Sequence, residues 1–303
     1  MPRLSQSISF VYAENASINR KDQTVEIADS EGRSALPVAS ITSLLLGPGT
    51  SVSHRAMTTL ADHGCSVVWL GQNGVRMYAA ARPENRSSRL AERQAIAWAN
   101  STSRKRMGRR LYLTRFPGEK VAKLSIPQLR GREGVRVREA YRRASVLLGV
   151  EWDGRLYDRD DWSASDPINQ ALSTATACLY GVCHGAIVTL GLIPSLGFIH
   201  TGHYLSFVYD IADLYKVELA VPAAFEAVAE GASNLERAVR TRLRDYFGAS
   251  RFLKRVSRDL VLLFSDDTDD AVLEQLQRGR DEIRLWDPDQ GELAGGVNYG
   301  DDA

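Results

Sequence analysis

Cysteine is scarce in this 303-residue chain: Cys65, Cys178 and Cys183 are the only three. An odd, widely spaced set gives neither a disulfide framework nor the paired spacing of a zinc site. Buried, reduced thiols in a cytoplasmic protein are the expectation. Long apolar runs are also missing. None approaches the ~20 residues of a membrane span, so no membrane partner is expected. The opening residues, Met1 to Gln6, lack the apolar stretch of a secretory signal. Gly47-Pro48-Gly49-Thr50 lacks the Gly-Lys-Ser/Thr ending of a phosphate-binding loop and reads as a turn. No internal repeat is visible. What is present is ordinary for a globular protein, 44% hydrophobic and 25% charged residues, and the length suffices for two domains.

Charge is unevenly spread. The formal net charge is only +1, yet residues 82–143 hold 18 Arg or Lys against 5 Glu, whereas residues 265–303 hold 12 Asp or Glu against 3 Arg. A dense basic middle, with Arg104-Lys105-Arg106 and Arg109-Arg110, is the electrostatic footprint of a phosphate backbone. Solvated helix faces are the competing explanation. The acidic end reads as a helix followed by a flexible tail, 286–303.

The hydrophobic period changes once along the chain, which gives an α+β fold. Residues 1–80 alternate as strands with one short helix near 53–63, and Val67–Tyr78 reads as a hairpin around Asn73-Gly74. The polar, Pro-containing stretch 81–88 is the expected linker. From 89 to 285 the pattern is helical. A stretch at 89–113 carries a possible break at Gly108. A capping box at Ser125–Gln128 opens a helix to about Leu148, and Asp166-Pro167 opens another to about 191. Further helices are expected at 204–217, 222–230, 234–247 and 250–264.

Two places carry carboxylates where apolar residues belong. Asp210 and Asp213, three apart and so on one side of a helix, interrupt the run Leu205, Phe207, Val208, Ile211, Ala212, Leu214. Such groups are costly unless a cation or hydrogen-bond donors meet them. His200 precedes them at a Gly-rich helix entrance. Glu133 sits on the stripe Leu129, Val137, Ala140, Ala144, Leu148 and so faces the core. Gly131 and Gly134 beside it leave room for another backbone or a ligand. The stripe alone leaves Glu133 open between a structural ion pair with one of the many arginines, such as Arg130 or Arg136, and a ligand role. The His200/Asp213 cluster points toward a shared metal. Glu133, His200 and Asp213, with Asp210 near, form an oxygen-rich set with one imidazole, suited to Mg²⁺ or Mn²⁺ and to phosphoryl chemistry. His54, His63 and His184 have no such company.

Three blocks carry a family resemblance. They are Gln128-Leu-Arg-Gly-Arg-Glu-Gly-Val-Arg-Val-Arg-Glu-Ala-Tyr141, then Asp166 to Val182 and Leu196 to Lys216. With Pro48–His54 and Val67–Tyr78, they make the chain resemble the CRISPR-associated adaptation integrases and endonucleases, the Cas-one family, type I-E branch, over roughly residues 5–285. The resemblance implies a β-rich N-terminal dimerisation domain and an all-α catalytic domain. It implies a homodimer, two of which flank a dimer of the small Cas-two partner. The implied reaction is metal-dependent: the 3′-hydroxyls of a short foreign DNA attack phosphodiesters at the CRISPR repeat boundaries. It places the metal ligands on Glu133, His200 and Asp213, a further acidic position on Asp210, and DNA contacts on Arg76, Arg130, Tyr157, Tyr180 and Arg240. Relatives often carry Lys where this chain has His203, which therefore receives no role. Tyr12 lies near the position of an aromatic that brackets the DNA fork in a relative; a packed strand residue is the alternative. Two competing functions remain at this point: a branched-DNA nuclease acting by hydrolysis, and a non-catalytic DNA-binding scaffold.

Overall fold

The computed structural model describes residues 10–38, 41, 43–71, 77–81, 88–116, 119–155, 166–264, 284–287 and 291–294. Arg76, Tyr157, the Asn-Gly turn, residues 82–87 of the linker and most of the acidic end lie outside them.

The N-terminal part holds two four-stranded sheets. One is formed by β1 (Val11–Ala13), β5 (Ser43–Leu46), β7 (Ser66–Leu70) and β8 (Met77–Ala81), in that order. The other is ordered β4 (Gly32–Leu36), β3 (Thr24–Asp29), β2 (Ser17–Lys21), β6 (Ser51–Val52). The β7/β8 pair is antiparallel, as the hairpin pattern predicts, whereas β1, β5 and β7 pair in parallel. Helix α1 (His54–Asp62) starts at Ser53, whose side chain accepts the Ala56 N–H. A separate antiparallel pair, β9 (Arg284–Asp287) and β10 (Gly291–Ala294), lies within the acidic end.

The central strands β5 and β7 of the first sheet are buried on both faces, and their alternation sorts residues between two cores. Leu44, Leu46 and Val67 join a cluster with Ile18, Val25, Ala56 and Leu60. Leu45, Val68 and Leu70 point the other way, into the helical core. Against that face lies α5 (Pro167–Thr189), opened by Asp166, which accepts the Asn169 N–H at 2.7 Å. Gly185 permits the contact, because a Cβ there would lie 2.0 Å from Ser43 Oγ. Strands and helices therefore share one apolar interior. α5 also amends the reading of hydropathy. By length and composition it could cross a bilayer, yet 83% of its apolar window is buried inside the protein, as befits a core helix.

The other helices are α2 (Arg89–Ala99), α3 (Ser101–Thr114), α4 (Ile126–Leu148), α6 (Ser206–Ala212), α7 (Val221–Ala229), α8 (Leu235–Ala249) and α9 (Phe252–Phe264). Ser125 forms the expected capping box on α4. The break expected at Gly108 falls instead at Asn100. Its side chain accepts the Thr102 and Ser103 N–H groups and restarts the helix. Gly108 is buried within α3, where a Cβ would meet the Phe198 carbonyl at 3.4 Å. The helix expected over 204–217 is shorter and passes through turns into a π-helical segment, Lys216–Ala220.

Candidate functional site

The loop 197–205 is folded by one carboxylate. Asp210, with no exposed surface, accepts backbone N–H groups from Phe198 (2.6 Å), Ile199 (3.0 Å) and His200 (2.8 Å), and the His200 ring through Nδ1 (2.8 Å). Four donors meet the charge that the apolar run made costly. Gly197 makes the turn possible, since a Cβ would lie 2.3 Å from the His200 carbonyl oxygen. With Nδ1 donating to Asp210, the His200 lone pair is on Nε2. That nitrogen lies 3.9 Å from Asp213 Oδ2, and the His200 side chain is 42% exposed. The cluster therefore opens to solvent at the imidazole.

Asp213 follows α6 and is met by cationic side chains rather than by backbone N–H groups. Lys216 pairs with its Oδ1, and Arg115 Nη2 lies 3.8 Å from its Oδ2. Burial pushes the Asp213 carboxyl up, but Lys216 and then Arg115 outweigh burial and hold it below the usual range. Lys216 is raised in turn: burial lowers it, but the Asp213 carboxylate and the Tyr180 beside it prevail. The Lys216 ammonium lies 5.6 Å from the centre of the Tyr180 ring, which itself tilts against Tyr209 at 4.9 Å.

Glu133, from α4, reaches the same place through Arg115. The Arg115 guanidinium, 1% exposed, pairs with Glu133 Oε1 and donates to the Asp210 carbonyl at 3.3 Å. The ion-pair reading of Glu133 thus holds, with Arg115 in place of Arg130 or Arg136. Glu133 is 15% exposed rather than sealed in the core. A Cβ at Gly131 would meet nothing within 4 Å, and one at Gly134 only the tip of Arg138. Among the described residues, no second backbone fills the room they leave.

The predicted residues Glu133, His200, Asp210 and Asp213 are therefore brought together. Among the described residues, no three His, Cys, Asp or Glu side chains are close enough to cage a metal as they stand. The donor types nonetheless fit a hard divalent ion: an imidazole Nε2 with its other nitrogen anchored, and two carboxylates converging on one corner. That corner holds the Arg115 guanidinium. Sequence reasoning missed Arg115 and Lys216. Lys216 carried a signal, at i+3 from Asp213. Arg115 was hidden in a basic run.

The other predicted contacts are scattered. Tyr180 lies beside Lys216, next to the cluster. Arg130 is exposed on α4, its Nε 3.5 Å from the Tyr112 hydroxyl. Arg240 is instead 11% exposed, between Glu14 and Glu236 (both 3.6 Å), with its guanidinium 4.1 Å from the Tyr12 ring centre. Tyr12 donates to Glu14 at 2.8 Å, so within this chain both residues belong to a junction between strand and helix. His203 is exposed and stacks on Tyr209 at 5.4 Å. The basic middle is only partly free. Arg109 binds the Leu124 and Ala122 carbonyls, Arg110 the Leu263 carbonyl, and Arg132 pairs with Glu119. Lys105, Arg106, Arg138, Arg142 and Arg143 are exposed. The three cysteines are free and buried, as expected.

Such a molecule is an α+β protein whose helical part presents a histidine–carboxylate cluster at a solvent opening and carries exposed arginines. The profile of the family described as CRISPR associated protein Cas1 matches residues 9–116 and 113–247. The chain belongs to that family. It is 44% identical over 301 residues to a CRISPR-associated endonuclease Cas1 of Clostridium sp. (strain SY8519), covering 99% of this chain and 98% of the relative. It is 45% identical over 306 residues to CRISPR-associated endonuclease Cas1 2 of Thermus thermophilus, covering 100% and 93%. A crystal structure of a TtCas1–DNA complex superposes with a TM-score of 0.82 at 45% identity, covering 95% of this chain and 100% of that one.

Proposed function

We propose that the protein is a metal-dependent DNA endonuclease and integrase of CRISPR adaptation, which inserts short foreign DNA fragments at the boundaries of the repeat. The observation that carries this reading is the placing of Glu133 and Asp213 about the Arg115 guanidinium, with His200 Nε2 3.9 Å from Asp213 Oδ2 on the solvent side. Relatives called CRISPR-associated endonucleases and a relative solved with DNA support it. Glu133, His200 and Asp213 would hold Mg²⁺ or Mn²⁺. When bound, the ion supplies Lewis-acid polarisation of the phosphodiester and stabilises the oxygen charge that develops as the bond breaks. Asp210 fixes the His200 ring, keeping its proton on Nδ1 and Nε2 toward the corner. Tyr180 and the exposed arginines would position strands and phosphates. A cytoplasmic homodimer, two copies of which flank a Cas-two dimer, is part of the same reading.

The test is to incubate the protein with its partner, a linear DNA and a repeat-containing plasmid in Mg²⁺ or Mn²⁺. Joined product is expected, and His200→Ala or Asp213→Ala should remove it while leaving a cooperatively folded protein. Joining at the wild-type level by either variant would overturn the assignment. The name endonuclease, carried by the relatives, favours hydrolysis as the second reading. Product analysis separates the two, because only attack by a 3′-hydroxyl creates a new DNA–DNA linkage. A non-catalytic scaffold predicts DNA binding with no product in any divalent ion.

A further inference from the structure

We propose that Arg115 is the internal counter-cation of this site, a positioning residue. It draws the Glu133 and Asp213 carboxylates together in the metal-free protein and gives up its place when a divalent ion binds. The inference rests on the metal reading above and adds a residue that controls the metal's entry.

Arg115 caps the end of α3, while Glu133 is on α4 and Asp213 follows α6. Three elements meet at one guanidinium with 1% exposure. Two carboxylates facing one small space repel each other unless a cation lies between them. The two cations of the cluster are not equivalent. Lys216 takes Asp213 Oδ1, the oxygen away from the imidazole, whereas Arg115 Nη2 faces Oδ2, the same oxygen that lies 3.9 Å from His200 Nε2. Arg115, and not Lys216, occupies the corner shared by the three donors.

Its hydrogen bonding is also incomplete. Among the described residues Arg115 Nε is buried with no partner, and 3.8 Å to Asp213 is beyond hydrogen-bond range. Arg242 and Arg255 also leave Nε unmet, so what marks Arg115 is its place between two carboxylates of the candidate site. Charge gives the same answer. Glu133, Asp213 and the buried Asp210 set three negative charges against the two positive charges of Arg115 and Lys216. A divalent ion added with both cations in place would make a largely buried space net positive, whereas departure of the guanidinium restores neutrality, so the guanidinium swings away.

The experiment measures Mn²⁺ binding to the full-length, metal-stripped protein by calorimetry and by thermal shift, for the wild type, Arg115→Gln and Arg115→Lys. Removing the competitor should tighten Mn²⁺ binding by Arg115→Gln about tenfold or more, on the scale of outer-shell effects on metal affinity. The metal-free melting temperature should fall, and the Mn²⁺-induced rise should exceed that of the wild type. Arg115→Lys, too short to bridge both carboxylates, should fall between the two. It also decides the matter if Arg115→Gln does not fold in either condition. A purely structural arginine predicts the opposite, binding that is weaker or unchanged, and either result overturns the proposal. If the wild type binds Mn²⁺ and the variants bind no tighter, Arg115 is not the counter-cation. If no protein binds Mn²⁺, the metal reading falls with it.

Discussion

Two ionic clusters of this fold are built differently. At the junction, Arg240 is flanked by Glu14 and Glu236 and stacked on Tyr12, whose hydroxyl is itself held by Glu14. At the site, Arg115 and Lys216 meet Glu133 and Asp213, but Arg115 Nε has no partner and His200 Nε2 faces the opening. The junction ties β1 to α8 by ion pairs at 3.6 Å and a stacked ring. The site keeps its carboxylates together with a replaceable cation. The same residue types thus make a clamp in one place and a receptive pocket in the other, and the solvent-facing imidazole beside the carboxylates tells them apart.

The largest effect should come from Asp210→Ala. It leaves three backbone N–H groups and the His200 ring without their acceptor. At about 1 kcal/mol for each lost bond, the loss should reach roughly 3 kcal/mol or more in urea unfolding, together with loss of joining. A change under about 1 kcal/mol would mean that the loop does not depend on this carboxylate.

Next, Arg240→Ala should lower stability by about 2 kcal/mol, from its aromatic stacking and partly buried pairs. Mn²⁺ affinity should stay unchanged. An altered affinity would show that the two clusters communicate.

A smaller effect separates them by pH. The Tyr12 phenol is raised by burial first and then by its bond to Glu14, against the pull of Arg240. The folded state therefore holds that proton more tightly than the unfolded chain. Its contribution is complete below about pH 10 and disappears as pH rises through the folded value. Burial raises the Cys65 and Cys178 thiols to about 12, so the alkaline decline starts lower and has several contributors. Asp213 has the opposite sign. Its carboxyl is lowered in the folded state, so its contribution is full above about pH 4 and is lost as pH falls further. In urea midpoints measured against pH, Tyr12→Phe should flatten part of the alkaline limb and Asp213→Asn part of the acid limb.

Much of this was legible in the sequence, for identifiable reasons. Capping chemistry is local, so Ser125 and Asp166 marked the starts of α4 and α5 to within a residue. An acid in an apolar stripe is a local anomaly, so Glu133, Asp210 and Asp213 stood out. Partners reached across the fold left no such trace. Arg115 sits in a run of arginines, several of which are in solvent, and only tertiary structure shows that its side chain is buried. The parallel pairing of β1, β5 and β7 joins residues over 20 positions apart, with no turn between them to announce it. Arg240 reads as one more helical arginine until β1 is seen beside it. Composition overstated the free basic surface for the same reason, because Arg109 and Arg110 are bound to backbone carbonyls.

The sheet whose central strands are buried on both faces has a further implication for how the gene can be divided. The polar stretch at 81–88 looks like a seam, yet Leu45, Val68 and Leu70 lie in the same interior as α5. Cutting there would strip an apolar layer from each piece, leaving two sticky half-products rather than two working parts.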